Sequence, residues 1–167
     1  MHYPWKPSAT VAAIIEHQGK FLLVEEHTPE GLRLNNPAGH LEEGESLLQA
    51  CSREALEETK YSFEPQALVG IYMSRFIRPA KQETPVQDIT YLRFAFCGQL
   101  GALDASRQLD TGIVRTLWLS PDEILASADR HRSPLVVRCM QDYLSGHRMP
   151  LGAIHTDPSV YQERPLP

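Results

Sequence analysis

The feature that most constrains this chain is a set of charged residues at fixed spacing around one predicted helix. The set contains one glycine, one arginine and four glutamates: Gly39, Glu45, Arg53, Glu54, Glu57 and Glu58. Ser46 with Gln49 three residues later predicts a capping box at the helix start, and apolar residues then recur at helical spacing. Six specified residues at fixed offsets, each of a type used at no more than ~10% frequency, match by chance on the order of once in 10⁶ starting points. The pattern therefore indicates a functional site rather than an ordinary solvated helix face.

Three of these glutamates share one side of the predicted helix. At about 100° per residue, Glu54, Glu57 and Glu58 fall within a stripe roughly 100° wide. Like charges at these spacings destabilise a helix by a few tenths of a kcal/mol per pair unless a counter-ion is present. Magnesium takes oxygen ligands and is often shared between carboxylates and substrate phosphates. A glutamate stripe without histidine or cysteine suits it better than zinc.

The segment from Gly39 to Tyr61 resembles the signature of the Nudix hydrolase family, Gly-x5-Glu-x7-Arg-Glu-U-x-Glu-Glu-x-Gly-U, in which U is apolar. The resemblance implies an α/β fold, namely an α/β/α sandwich with a mixed β-sheet. It also implies a magnesium-dependent enzyme, in which manganese can substitute, that cleaves a diphosphate linkage attached to another group. A binding module without catalysis and an isomerase acting on an isoprenoid diphosphate are the rival classes. The complete signature favours hydrolysis.

The resemblance also implies a role for each signature residue. Glu54, Glu57 and Glu58 are the expected metal ligands, joined by the Gly39 carbonyl. Arg53 is expected to orient the glutamates. For Glu45, two roles stay open: it braces Arg53, or it reaches the metal through water. We expect Glu54 to activate the attacking water, although the division between base and ligand stays open.

One residue departs from the signature, because Lys60 stands where the family usually has glycine. A glycine after a helix permits a left-handed residue there. A lysine in that conformation costs roughly 1 to 2 kcal/mol, which its charge partly offsets at the negative end of the helix. The departure affects the expected helix ending and none of the expected ligands.

Side motifs outside the signature resemble the NudJ-like phosphatase branch of the family. They include Lys6-Pro7, Leu92-Arg93-Phe94 and Arg132-Ser133-Pro134. This resemblance implies a small, cytoplasmic, monomeric enzyme that hydrolyses nucleoside tri- and diphosphates and releases orthophosphate. Thiamine diphosphate and hydroxymethylpyrimidine diphosphate are further implied substrates. The alternatives are a general nucleotide pyrophosphohydrolase that releases pyrophosphate and a non-catalytic nucleotide-binding sensor.

Basic and aromatic residues outside the signature are candidates for substrate binding. The candidate phosphate contacts are Arg75, Arg78, Lys81 and Arg93, and the candidate stacking surfaces are Tyr3, Trp5, Phe76 and Tyr91. Arg93 lies in an alternating segment, so the alternative is that it faces solvent. For Trp5, the alternative is that it caps the core.

Length and composition limit the other classes of protein. The 167 residues favour one domain, which we place at 1–151 and follow with a tail at 152–167 that is either disordered or draped over the domain. A net charge of -5 provides no polycation for nucleic acid, and no apolar run is long enough for a membrane span. Cys51, Cys97 and Cys139 show no paired spacing, which predicts buried free thiols in a reducing cytoplasm. A dimer through the first strands stays open.

The remaining patterns predict a mixed sheet with helices on both faces. Strands are predicted at 10–15, 21–24, 67–73, 91–100 and 113–119, the first two forming a hairpin. Loops are predicted at 28–36 and at 77–90, the latter mobile and close to the active site. Short helices are predicted to begin near Ser120 and Ser133, the second with a buried stripe and a stop at Gly146. That stripe is Leu135, Val136, Cys139, Met140, Tyr143 and Leu144.

Overall fold

The computed structural model describes residues 4–80 and 85–163. Its strands are β1 (Ser8–Ile14), β2 (Glu16–His17), β3 (Lys20–Thr28), β4 (Gly31–Asn35), β5 (Ala38–His40), β6 (Tyr61–Arg78), β7 (Gln87–Leu103), β8 (Ile113–Leu119) and β9 (Met149–Pro150). Its α-helices are α1 (Leu47–Thr59), α2 (Pro121–Ala126) and α3 (Leu135–Leu144). Short 3-10 helices lie at Ala128–Arg130, Leu151–Ala153 and Pro158–Tyr161.

The strands form two sheets. The first sheet has the order β5-β1-β7-β6-β9 and is mixed, because β1 and β7 run parallel while the other neighbours run antiparallel. In the second sheet β3 is hydrogen bonded to β2, β4 and β8, always antiparallel. The predicted strand at 113–119 is confirmed as β8.

Strand β1 is buried on both faces and separates two cores. Ala12 and Ile14 pack in a core that also contains residues of α2 and α3. Val11, Ala13 and Ile15 pack in the other core, against Ala50, Cys51 and Ala55 of α1. All three helices therefore cover the strands from opposite sides, which confirms the predicted α/β/α sandwich with a mixed sheet.

Helix α1 begins as the sequence predicts. Ser46 accepts a hydrogen bond from the Gln49 N–H, and the Gln49 side chain bonds back to the Ser46 N–H. At the other end Lys60 is left-handed, with φ of 65°, and its N–H bonds to the Leu56 carbonyl. The lysine thus takes the conformation for which the family uses glycine, and it carries the strain of about 1 to 2 kcal/mol that a side chain meets there.

Two predictions for the first strands are wrong in part. The hairpin exists between β2 and β3, with a turn at Gln18-Gly19 where both residues have positive φ. Strand β1 does not join this hairpin, because the chain changes sheets near Ile15 and β1 pairs with β5 and β7. Residues 28–36 are not a loop, since β4 pairs along β3 and buries Leu34. Only the turn at Pro29-Glu30 interrupts these strands.

The predicted loop at 77–90 is wrong at both ends. Strand β6 continues to Arg78 and β7 begins at Gln87, because the two strands stay paired in register to the end of a long hairpin. Lys81 lies outside the described residues.

Helix α3 differs in one residue of its predicted stripe. Val136, Cys139 and Met140 are buried, but the Leu144 side chain is 55% exposed, and Asp142 is buried in its place. Asp142 can lie there because Tyr72 and Arg138 both donate hydrogen bonds to its carboxylate. Gly146, with φ of 84°, follows the helix end as predicted.

The last described segment packs on the domain. Leu151 and Ile154 are partly buried against the core beneath α1, so the start of the tail packs on the domain, whereas residues 157–163 are exposed. The domain division at residue 151 stays a prediction. All three cysteines are free and buried, as predicted. Within the described ranges, every helix is too short or too polar to cross a bilayer.

Candidate active site

Arg53 is the centre of a hydrogen-bond network at one edge of the first sheet. Its Nε and Nη2 atoms donate to the two oxygens of Glu45, at 3.0 and 2.8 Å. Its Nη1 atom donates to Glu54 Oε1 at 2.8 Å and to Glu57 Oε2 at 3.1 Å. Nη2 also donates to the His40 carbonyl at 3.0 Å, which ties α1 to β5. One guanidinium therefore sets the positions of three carboxylates.

Glu45 differs from the other glutamates because both of its oxygens are used. Oε1 accepts from Arg53 and from the Glu42 N–H, and Oε2 accepts from Arg53. Hydrogen bonding to Arg53 is the main cause that holds the Glu45 pKa below its usual range. The same bond is the main cause that raises the Arg53 pKa. Of its two open roles, the geometry favours bracing of Arg53.

Glu58 lies on the inner side of the helix. Its carboxylate is buried, and its Oε2 accepts a hydrogen bond of 2.9 Å from the Ala38 N–H. Burial raises the Glu58 pKa to about 8, and the charges of Glu54 and Glu26 add to the shift. Burial also raises the Glu54 pKa, with Arg53 opposing and the charges of Glu57 and Glu42 reinforcing the shift. Both carboxyls therefore hold protons more tightly than exposed ones do.

Gly39 is the point where the strand backbone meets the Glu54 carboxylate. A Cβ atom at this position would collide with the carboxylate carbon and both of its oxygens. Glycine is needed there because only a residue without a side chain lets β5 approach the helix this closely.

Three glutamates each keep one oxygen outside these hydrogen bonds. These oxygens are Glu54 Oε2, Glu57 Oε1 and Glu58 Oε1, since the partner oxygen of each is bonded to Arg53 or to Ala38. This all-oxygen set of carboxylates, in which the pKa values of Glu54 and Glu58 are raised, fits a hard divalent cation. In residues 4–80 and 85–163, no three acidic, histidine or cysteine side chains converge into a ready-made cage. Arg53 and Ala38 hold the carboxylates instead.

Two candidate phosphate contacts are already paired with other groups. Arg75 forms a two-point ion pair with Asp88, at 2.8 and 2.6 Å. Arg78 donates to Glu30 at 2.9 Å and to Gln87 at 2.8 Å. The structure does not bring either guanidinium to the glutamates of α1. Their proposed contact with phosphate stays a prediction, as does that of Lys81.

The candidate stacking residues lie apart from one another. The Tyr91 ring is 6.1 Å from the His40 ring, next to β5. Trp5 is 69% exposed, so the alternative that it caps the core is wrong. Phe76 lies beneath the Arg78 guanidinium, 5.2 Å from it. Tyr3 lies outside the part of the chain that the structure describes.

Arg93 does not face solvent, contrary to its alternative reading. It pairs with Thr10 of β1 in register and points to the side of the sheet where Cys139 of α3 packs. Its Nη1 atom is buried and has no hydrogen-bond partner, and burial lowers the Arg93 pKa.

The sequence reasoning missed two buried acids on β3. Glu25 pairs with Arg115 at 2.7 Å and also with Arg130. Glu26 pairs with Arg132 and accepts from the Asn35 side chain at 3.2 Å. The sequence does indicate these buried acids, because both directly follow the apolar run Phe21–Val24 within one strand.

Comparison with known proteins identifies the family of the chain. The model of the NUDIX domain matches residues 4–139. The chain belongs to the Nudix family. It is 41% identical to phosphatase NudJ of Escherichia coli K12 over 150 residues, which cover 90% of this chain and 92% of that protein. The same figures hold for phosphatase NudJ of Shigella flexneri. A Nudix hydrolase from Nitrosomonas europaea shares 51% identity with a TM-score of 0.79, over 91% of this chain and 98% of that one. The protein is therefore a Nudix hydrolase with a small-molecule diphosphate substrate.

Replacing Gly39 with alanine should damage the site without unfolding the domain. The added methyl group displaces the Glu54 carboxylate, and a shift of about 1 Å at a catalytic group costs roughly 100-fold in kcat/KM. Gly152→Ala is the matched control, because its Cβ meets nothing within 4 Å. Steady-state kinetics with thermal melts of both variants test this. Full activity in Gly39→Ala would contradict the proposed position of Glu54.

The raised pKa of Glu58 predicts a pH dependence of stability in metal-free protein. Its pKa rises from 4.5 in the unfolded chain to about 8 in the folded protein. The folded state thus binds a proton that the unfolded state has lost. The stabilising effect is complete below pH 4.5 and is lost as the pH rises to about 8. In EDTA, the wild-type melting temperature should fall over this window relative to Glu58→Gln.

Magnesium should reverse that loss at about pH 8, because binding to the folded state alone raises stability. The exposed Glu64→Gln variant on β6 is the control and should behave as wild type. Identical pH profiles for wild type and Glu58→Gln would show that this carboxyl does not titrate as described.

Proposed function

We propose that the protein is a magnesium-dependent phosphatase, in which manganese can substitute, that acts on nucleoside tri- and diphosphates and releases orthophosphate. Thiamine diphosphate and hydroxymethylpyrimidine diphosphate are further candidate substrates. The observation that carries the proposal is the Arg53 network, which holds Glu54 and Glu57 by one oxygen each and leaves the other oxygen open. The identity of 41% with proteins named phosphatase NudJ supports the choice of this branch.

The roles of the glutamates in this proposal follow from their hydrogen bonds. Glu57 and Glu58 offer their open oxygens to the cation, together with the Gly39 carbonyl. The open Oε2 of Glu54 joins them when Glu54 is a ligand, and it takes the proton when Glu54 is the base. Glu45 uses both oxygens to brace Arg53. A bound magnesium ion supplies charge neutralisation on the phosphate oxygens and acidifies water.

The proton leaves the attacking water through a carboxylate, for which Glu54 is the proposed base. Arg53 fixes its Oε1 atom, so Oε2 is the atom that receives the proton. The raised pKa of Glu54 makes its carboxylate a better proton acceptor than an exposed one. Arg53 orients the group and is not itself a proton carrier, because its pKa is raised further above its usual value.

The location and assembly of the enzyme are also proposals. A cytoplasmic monomer agrees with three free buried thiols and with the small size of the chain. The net charge of -5 supports a small-molecule substrate rather than nucleic acid as the partner.

The products of hydrolysis test the proposal. Purified protein with magnesium is incubated with GTP, GDP, thiamine diphosphate and hydroxymethylpyrimidine diphosphate, and orthophosphate is resolved from pyrophosphate in each mixture. We expect orthophosphate from several substrates and no turnover in EDTA. Pyrophosphate from GTP would indicate a pyrophosphohydrolase instead. Absence of turnover on all four would support the sensor alternative.

The Glu57→Gln variant is the companion measurement. It keeps the side-chain length and removes the charge, so kcat should fall by roughly 100-fold or more, because a proposed ligand of the cation that stabilises the reacting phosphate loses its charge. Glu64→Gln should retain wild-type kcat. Full turnover by Glu57→Gln would exclude the proposed site.

A further inference from the structure

A second group of polar side chains lies buried beside the candidate active site. We call it the polar cluster and define it by six residues: Thr10, Glu26, Asn35, Asn36, Arg93 and Arg132. Among the described residues, five side-chain atoms are buried without a hydrogen-bond partner. Four of them belong to this cluster: Thr10 Oγ1, Asn35 Oδ1, Asn36 Oδ1 and Arg93 Nη1. The strands bring these groups together from both sheets.

Strand register places two of the orphaned groups side by side. Thr10 on β1 pairs directly with Arg93 on β7, and His40 of β5 pairs with Thr10 on its other side. Paired residues on adjacent strands point to the same face of a sheet. Arg93 and Thr10 therefore share the face that packs towards α3, and their row begins at the strand that carries Gly39.

The ion pair between Glu26 and Arg132 fixes the orientation of Asn35. Glu26 Oε1 accepts from Asn35 Nδ2 at 3.2 Å, while Oε2 accepts from Arg132. This bond uses one N–H of the Asn35 amide and identifies Oδ1 as the open acceptor. Because Glu26 and Arg132 neutralise each other, Arg93 carries the unbalanced charge of the cluster.

The polar cluster adjoins the glutamates of α1. The charges of Glu26 and Arg132 act on the Glu58 carboxyl, and the same two charges act on the Arg93 guanidinium. The pair is thus within electrostatic range of both groups. Arg132 also lines an open cleft of about 450 Å³ along α3.

Leaving these atoms without partners is costly. A buried donor or acceptor without a hydrogen bond has lost its bonds to water and gained none in return, and an unpaired buried charge costs more. A purely structural cluster would pair its own members, as Glu26, Asn35 and Arg132 do. Unpaired donors and acceptors that neighbouring side chains hold in fixed positions are typical of a binding site, where the ligand supplies the missing hydrogen bonds.

The chemistry of the open atoms selects the class of ligand. Arg93 Nη1 can only donate, Asn35 Oδ1 can only accept, and the Thr10 hydroxyl can do both. An ionised phosphate accepts hydrogen bonds and has none to donate, so it would leave Asn35 unpaired. A nitrogen heterocycle with a ring acceptor beside an N–H or amino group can accept from Arg93 and donate to Asn35.

We propose that the polar cluster binds the hydrogen-bonding edge of the heterocycle that the diphosphate carries, with Arg93 donating to it and Asn35 accepting from it. This inference rests on the proposed function, in which the diphosphate lies at the glutamates of α1. Arg93 is then a specificity-determining residue for the base and not a phosphate contact.

The test compares a ligand that has a base with one that lacks it. Dissociation constants of GDP and of inorganic tripolyphosphate are measured by titration calorimetry, with magnesium, for wild type and Arg93→Met. We expect GDP to bind at least 10-fold more weakly to the variant and tripolyphosphate to bind equally to both. Equal weakening of both ligands would make Arg93 a phosphate contact. Unchanged GDP affinity would overturn the proposal.

Stability separates the binding role from a structural one. Arg93→Met replaces a buried guanidinium, whose Nη1 atom has no partner, with an apolar chain of similar length, so its melting temperature should equal or exceed that of wild type. A fall in melting temperature would indicate a structural role.

Thr10→Val is the second variant, since it removes only the orphaned hydroxyl. We expect an unchanged fold and a GDP affinity weakened by about 3-fold. The exposed Arg107→Met variant is the control for lost charge.

Failure of the proposed function gives a different result. In that case wild type hydrolyses none of the four substrates, yet binding of GDP still reports on the cluster. Binding that Arg93→Met weakens would keep the inference, whereas no binding of GDP by wild type would overturn it.

Discussion

Arg53 is the side chain on which the geometry of the candidate site depends. A guanidinium offers five donors in a rigid plane, and here they join Glu45, Glu54, Glu57 and the His40 carbonyl. Lysine could not replace it, because a single ammonium cannot hold groups on two sides at fixed angles. The network links the middle and last turns of α1 to β5, so the position of the carboxylates follows from the packing of helix on strand.

The glutamates are arranged so that a bound cation reduces the electrostatic repulsion between their carboxylates. Glu58 is buried and Glu54 is half-buried near it, and the pKa of each is raised. Arg53 balances part of this repulsion, but it contacts only one oxygen of Glu54. Gly39 brings the strand backbone against the same carboxylate. The proposed magnesium ion would supply the remaining positive charge where a phosphate chain also needs it.

The parts of this structure that depend on local spacing could be predicted, and those that depend on distant pairing could not. Ser46 and Gln49 lie three residues apart, so the start of α1 is readable from sequence. The change of sheet at Ile15 is set by pairing with β7, more than 70 residues away. The Glu26–Arg132 pair joins residues 106 apart, and no periodicity predicts it. The polar cluster could not be predicted from the sequence for the same reason, although Glu26 in a largely buried strand indicated a buried polar group.

The most direct test of the account is manganese binding, measured by electron paramagnetic resonance of the free ion. Wild type should bind manganese in a saturable way, and Glu57→Gln should raise the dissociation constant by roughly 10-fold or more, because one ligand oxygen loses its charge. Glu64→Gln, on the exposed face of β6, should bind as wild type does. Equal binding by wild type and Glu57→Gln, or no saturable binding by wild type, would contradict the claim that the Arg53 network builds a metal site.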